Sequence, residues 1–220
     1  MADIRFVQAD TLKEKPADVS KVGFGRVFTD YMFEMDYNPE EGWHDARIVP
    51  YQDVPLSPAN ATLHYGQAIF EGCKAYRYEG GKAVVFRAKD HIARLNRSAK
   101  ILDIPEVDEK LVYDALMKLI DLEKDWIPDG PGQSLYIRPF IFSTDPYLGV
   151  SVGQYYKMMI ILSPVGAYYA NGFAPVKIMV EDTYVRAPKG GLGAAKTPAN
   201  YAASLHGGLI AHEKGYDQTL

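Results

Sequence analysis

One lysine in this sequence lies where its amine could do chemistry. The run Arg186-Ala187-Pro188-Lys189-Gly190-Gly191-Leu192-Gly193-Ala194-Ala195-Lys196-Thr197-Pro198-Ala199-Asn200-Tyr201 leads through three glycines to Lys196 and an Asn-Tyr pair. Small side chains let a backbone approach a ligand closely and leave room around a single amine. One reading is a phosphate-cradling loop, because Gly190 to Thr197 follows the spacing G-x-x-x-x-G-K-[ST]. Ala195, however, puts a Cβ where the nest of amides needs a glycine. A second reading is a Schiff-base lysine, for which Tyr201, five residues on, could hold the carbonyl partner. A solvated loop lysine is the third, and spacing alone does not separate the three.

The elements that must position this amine follow from pattern. Val27 to Tyr37 is rich in aromatic and branched residues and ends at Asn38-Pro39, which gives a strand and a turn. Ile48 to Leu56 is extended, and Ala59 to Gly72 is expected to be an aromatic-rich helix. Cys73 to Phe86 forms a hairpin turned at Gly80-Gly81. Apolar residues at three- and four-residue spacing predict helices over Asp90 to Leu102 and Asp108 to Lys124. Strands return at Ser134 to Phe142 and Tyr155 to Pro164, the second apolar enough to be buried on both faces. Residues 167–175 are glycine-bearing and irregular, the expected linker between a lobe at 1–166 and a second lobe beginning at 176. Residues 1–20 form a loosely held lead-in. A strand over Val176 to Val180 precedes the lysine run, and a helix over Tyr201 to Lys214 follows it. The last residues look like a strand with no sheet to join. The order is mixed α/β (α+β).

Composition narrows the chemistry. The chain has 220 residues and a formal net charge of -4, with basic residues scattered, so nothing marks a nucleic-acid surface. Cys73 is the only cysteine, which excludes an intramolecular disulfide and a thiolate cluster for zinc. His44, His64, His91, His206 and His212 show no H-E-x-x-H or similar ligand spacing, so no metal is expected. No G-x-S-x-G elbow is present. The amino terminus lacks a basic leader, and no apolar run reaches bilayer length, giving the expectation of a cytoplasmic protein with no membrane partner.

Taken in order, six segments resemble the branched-chain amino acid aminotransferases, pyridoxal-phosphate enzymes of fold type IV. They are Phe24-Gly25-Arg26-Val27-Phe28-Thr29-Asp30, Leu63 to Gly72, Arg94-Leu95-Asn96-Arg97-Ser98-Ala99, Tyr136-Ile137-Arg138-Pro139, Pro164 to Tyr168 and the glycine-lysine run. The resemblance implies a smaller α/β lobe followed by the beginning of a larger pseudo-barrel lobe. It further implies transamination between leucine, isoleucine or valine and 2-oxoglutarate, giving glutamate, with pyridoxal 5'-phosphate as cofactor. On that resemblance Lys196 holds the cofactor and shuttles the Cα proton, Tyr201 bonds its phenolic oxygen, and Arg94 grips its phosphate. Lys189 and Arg97 are then solvated neighbours. Phe24, Tyr65, Phe70, Tyr136 and Tyr168 are implied to line the substrate pocket, with Lys74 near it. Arg138 is implied to pair with the distal carboxylate of glutamate or 2-oxoglutarate. Family members are typically homodimers. The glutamate that pairs with the pyridine nitrogen and the second phosphate loop are expected beyond Leu220, so an isolated 1–220 chain is expected to be inactive. Alternatives within the fold class are a D-amino acid transaminase and an aminodeoxychorismate lyase, and outside it a nucleotide-binding protein using Gly190 to Thr197.

Overall fold

The computed structural model describes residues 4–167 and 174–220. Its centre is a long antiparallel pair, β7 (Ser134–Ser143) and β8 (Tyr156–Val165), matched residue for residue from Ser134↔Val165 to Ser143↔Tyr156. Beyond β8 lie β2 (Tyr31–Asn38) and β3 (Gly42–Pro50), antiparallel to their neighbours. β1 (Arg5–Phe6) adds to β3 in parallel. On the other side β7 pairs with β4 (Ala68–Phe70) and with β5 (Cys73–Arg77), and β5 turns back as β6 (Ala83–Val85). A second sheet holds two short strands, β9 (Ile178–Met179) and β10 (Gln218–Thr219).

Strand alternation sorts the side chains into two layers. Leu135, Ile137 and Ile141 of β7, Met158, Ile160 and Leu162 of β8, and Phe33 and Met35 of β2 join one large core. Over that face pack α2 (Ala88–Ile101) and α3 (Glu109–Leu122), which bury Ile92, Leu95 and Ala99 and Val112, Ala115, Leu116 and Leu119. Asp108 caps α3 by accepting from the amides of Lys110 and Leu111. The opposite residues, including Met32, Phe142 and Met159, form a smaller apolar cluster on the second face. Helices gathered on one face of an antiparallel sheet give an α+β architecture.

Several expectations needed correction. Residues 59–72 are not one helix: α1 (Ala61–Tyr65) stops at Gly66, whose left-handed φ of 71° ends it, and the chain passes into β4. β3 begins before the extended piece expected from Ile48, and Arg47 anchors its first half by pairing with Glu34, Asp36 and Asp45. The lead-in is tied down: Lys13 donates its amide to Asp30 and its ammonium to the Thr29 carbonyl. The helix expected over 201–214 is two pieces, α4 (Pro198–Ala202) and α5 (Leu205–Glu213). The terminal strand does have a partner, β9. The expected linker falls mostly on residues 168–173, outside the described residues.

Where the lead-in meets α3, a buried carboxylate has no ion pair among the described residues. Glu123 is 2 % exposed and accepts from the amide of Tyr31, while nearby Asp30 accepts from the indole of Trp126. Burial, with the Asp30 charge adding to it, pushes the Glu123 carboxyl up from 4.5 to about 7. The folded chain therefore holds this proton more tightly than the unfolded chain. The stabilisation is complete below about pH 4.5 and is lost as pH rises through about 7. Glu123→Gln, neutral throughout, should remove that loss. Denaturant titrations from pH 4.5 to 8 should show the wild-type protein losing on the order of 2–3 kcal/mol relative to the variant.

Candidate active site

The site begins with an interrupted strand. The pairs Phe70↔Phe140 and Cys73↔Ile137 belong to one register, so β4 and β5 are a single strand whose regular ladder to β7 is interrupted at Glu71 and Gly72. Pro139, opposite Glu71, has no amide to give; its carbonyl accepts from Glu71 N–H at 2.7 Å. Alternation sends Phe70 and Gly72 to one face and Glu71, with Ile69 and Cys73, into the layer beneath α2. A Cβ on Gly72 would overlap the Tyr136 hydroxyl, so only glycine lets that ring lie across the strand.

Lys196 is fixed to this strand and to α2 through its backbone. Its carbonyl accepts from Phe70 N–H at 3.0 Å, and its N–H donates to Ser98 Oγ at 2.9 Å. Asn200, buried, donates to the carbonyls of Leu192 and Ala195 and so holds the preceding turn. With the backbone pinned, the half-buried side chain extends to Tyr201, to whose hydroxyl Nζ donates at 2.5 Å. Nζ also lies 4.5 Å from the Phe70 ring centroid, and the Phe70 and Tyr201 rings are 4.9 Å apart. An amine between two aromatic faces, with one hydroxyl partner, is arranged for attack on a carbonyl carbon.

Cations flank the amine. On α2, His91, Arg94 and Ser98 recur at three- and four-residue spacing and share one stripe. Arg94 forms a bidentate pair with Glu71, Nε to Oε1 at 2.5 Å and Nη2 to Oε2 at 2.8 Å, and His91 Nδ1 lies 3.1 Å from Oε2. Burial opposes ionisation of Glu71, but hydrogen bonds from Arg94, His91 and Gly72 N–H outweigh it and hold the carboxyl below its ordinary range. The hydrogen bond to Glu71 raises the Arg94 pKa, and Tyr201 is close enough to add to the effect. On the sheet's other face Arg138 lies 4.6 Å over the Phe70 ring and donates Nη2 to the Tyr136 hydroxyl, while its buried Nε has no partner among the described residues. Phe24 meets Tyr136 edge-on at 4.8 Å.

Of the residues singled out in the sequence, Lys196, Tyr201, Phe70, Arg138, Tyr136 and Phe24 thus form one chain of contacts, with Arg94 beside it. Lys74 lines a cavity of about 320 Å³ next to Phe24. Tyr65 stands apart, exposed and donating its hydroxyl to the Leu148 carbonyl. Tyr168 lies outside the described residues. Lys189 and Arg97 are exposed. A cavity of about 420 Å³ lies elsewhere, on the apolar second face around Met32, Phe140 and Met159.

The nucleotide loop is not built. The Ala195 amide is used by the Leu192 carbonyl, the Lys196 amide by Ser98 and the Gly191 amide by the Pro188 carbonyl, so none of these three is free to cradle a phosphate. Ser98, Asn200 and Glu71 are the positions that sequence reasoning left without a role, although Ser98 falls four residues after Arg94. Ser98→Ala should leave the Lys196 amide without its acceptor. Hydrogen exchange at that amide should accelerate by ~5–10-fold, the equivalent of about 1 kcal/mol, with the α3 core unchanged.

Comparison with known proteins gives the family and the fold. The family model described as amino-transferase class IV matches residues 68–220. Branched-chain-amino-acid transaminase 1 of Bacillus subtilis is 54% identical over 209 residues, covering 94% of this chain and 58% of that protein. The Escherichia coli branched-chain amino acid aminotransferase superposes with a TM-score of 0.69 at 31% identity, over 86% of this chain and 58% of its own. The T.th. branched-chain amino acid aminotransferase, complexed with N-(5'-phosphopyridoxyl)-L-glutamate, gives a TM-score of 0.64 at 25% identity over 84% of this chain and 57% of its own. The chain spans about 60% of the length of the curated relatives it matches. A lysine loop pinned to a strand and a helix, on a sheet that superposes on these enzymes, places the chain in the class IV aminotransferases.

Proposed function

We propose that the protein is a branched-chain amino acid aminotransferase, exchanging amino groups between leucine, isoleucine or valine and 2-oxoglutarate. The observation that carries this reading is the Lys196 amine, backbone-pinned on both sides and paired with Tyr201 against Phe70. The residues fit pyridoxal phosphate: Lys196 offers the amine for its aldehyde, Tyr201 a hydroxyl for its ring oxygen, and Arg94 a guanidinium whose outer donors suit its phosphate. When bound, that cofactor supplies an electron sink for the carbanion formed at the substrate Cα. The T.th. relative, complexed with a phosphopyridoxyl-glutamate adduct, supports both the cofactor and the second substrate.

The protein's own groups do the rest. Lys196 Nζ, once its amine is free, would be the base that accepts the proton from the substrate Cα and the acid that gives it back. Phe70 and Tyr201 shield that nitrogen from water on two sides. Phe24, Phe70 and Tyr136 give an apolar wall suited to a branched aliphatic side chain, with Tyr168 proposed to complete it. Glutamate must use the same pocket, and Arg138 is suited to take its distal carboxylate: it lies over Phe70, and its Nε has no partner among the described residues.

We further infer a cytoplasmic homodimer, with residues 1–166 as the smaller lobe and 176–220 as the beginning of the larger. Support for the dimer is the exposed apolar rim of Leu63, Tyr65, Leu148 and Val150, which suits Tyr65 to a pocket wall contributed across a subunit boundary. No helix among the described residues is long and apolar enough to cross a membrane.

The test is a substrate panel with the full-length protein and added pyridoxal phosphate. Glutamate should form from leucine, isoleucine and valine with 2-oxoglutarate, and D-amino acids should be inert; activity confined to D-substrates would overturn the reading. Lys196→Ala should lower turnover by at least ~10²–10⁴-fold. Arg138→Ala should raise KM for 2-oxoglutarate by ~10–100-fold while changing that for leucine by less than about 3-fold.

A further inference from the structure

Strand alternation places one carboxylate where the neighbouring residues are all apolar. Ile69, Glu71, Cys73 and Ala75 point into the layer beneath α2, and Glu71 is 0 % exposed. A buried carboxylate is costly to folding unless it is paired and hydrogen-bonded, and an apolar residue of similar size would pack there at no such cost. Both Glu71 oxygens are committed to α2: Oε1 to Arg94 Nε, and Oε2 to Arg94 Nη2 and His91 Nδ1. The backbone is equally fixed, since Glu71 N–H donates to the Pro139 carbonyl in register with β7.

The pair is lopsided in exposure. The Arg94 side chain is 46% exposed while Glu71 is sealed, so the carboxylate sits behind the guanidinium. Glu71 occupies the Nε–Nη2 edge of the fork. Among the described residues, Nη1 has no acceptor. A long arginine side chain on a helix surface ordinarily samples many rotamers; one clamped along its inner edge presents its outer donors in a single direction. The lysine site lies beside it, because the same α2 stripe carries Ser98, which holds the Lys196 amide, and Tyr201 is near enough to act on Arg94.

We propose that Glu71 is a positioning residue, a buried carboxylate that sets the guanidinium of Arg94 to receive the phosphate of the cofactor. The inference rests on the aminotransferase reading above, and it assigns Glu71 no contact with cofactor or substrate. Its action is selective: it sharpens the grip on the phosphate and leaves the amine and its hydroxyl partner unchanged.

The test compares two ligands that differ only in the phosphate, pyridoxal phosphate and pyridoxal, by equilibrium dialysis against the full-length apo-protein. Glu71→Gln should weaken pyridoxal phosphate binding by ~10–100-fold, as loss of outer-shell partners does elsewhere, with pyridoxal affinity within about 3-fold of wild type. Glu71→Asp, which keeps the charge and shortens the reach, should show a smaller loss confined to the same ligand. Adding Glu71→Gln to Arg94→Gln should cost less than about 3-fold more, because the two act as one unit. Equal weakening of both ligands means a merely structural role and overturns the proposal. So does tighter pyridoxal phosphate binding in Glu71→Gln, which would mean that Glu71 only offsets the Arg94 charge. If Arg94→Gln keeps the full preference for the phosphorylated ligand, the phosphate role of Arg94 itself fails, and the proposal with it. If Arg94→Gln loses that preference and Glu71→Gln does not, only the proposal fails.

Discussion

The backbone hydrogen bond from Phe70 N–H to the Lys196 carbonyl joins the central sheet to the lysine loop across a long stretch of chain. Its counterpart from Lys196 N–H to Ser98 Oγ joins the same residue to α2. Between them they fix one residue's position against a strand and a helix that are already locked together by a shared core. A flexible amine thereby has few ways to go other than toward Tyr201 and Phe70. The glycines upstream permit the turn, Gly190 with a φ of 79°, but the two backbone bonds decide where it ends.

The surroundings of that amine follow from how β4 and β5 run against β7. A proline opposite Glu71 interrupts the regular ladder without breaking register, so three consecutive residues face alternately outward, inward and outward. Phe70 meets the lysine and Arg138, Glu71 meets Arg94, and Gly72 makes room for Tyr136. A one-residue slip would turn Phe70 into the core and Glu71 to the open face, destroying all three arrangements at once. The apolar core beneath α2 and α3 therefore does more than stabilise the chain, since it is what makes such a slip prohibitively unfavourable. Two buried carboxylates are matched by cations: Glu71, beneath α2, by Arg94, and Glu34, on the opposite face of the sheet, by Arg47 and Lys157.

Much of this was legible in the sequence, and the failures have physical causes. The hairpin at Gly80-Gly81 was legible because both residues need positive φ, and α3 because Asp108 caps an uninterrupted apolar stripe. The Lys196 run stood out through its glycines, and the nucleotide alternative was already weakened by the Ala195 Cβ. The stretch from Ala59 to Gly72 misled, because a five-residue helix followed by a three-residue strand is too short to show either period. Its strand character comes from pairing with β7, a partner far along the chain. Once β4 was read as helix, the inward orientation of Glu71 was invisible, since it depends on a period of two. Ser98 was hidden for a different reason: a serine inside an amphipathic helix signals nothing until the loop that donates to it is placed. The extended piece was expected only from Ile48 because tertiary ion pairs of Arg47, and not local hydrophobicity, hold the first half of β3 in place.

The proposed chemistry stands on Lys196 as the nitrogen that would bond the cofactor. Borohydride reduction of the full-length protein with pyridoxal phosphate, followed by proteolysis and mass mapping, measures this directly. One phosphopyridoxyl label is expected, on the peptide carrying Lys196, with Lys189 and Lys74 unmodified. A label on another lysine, or none on a folded protein that has bound the cofactor, would contradict that assignment.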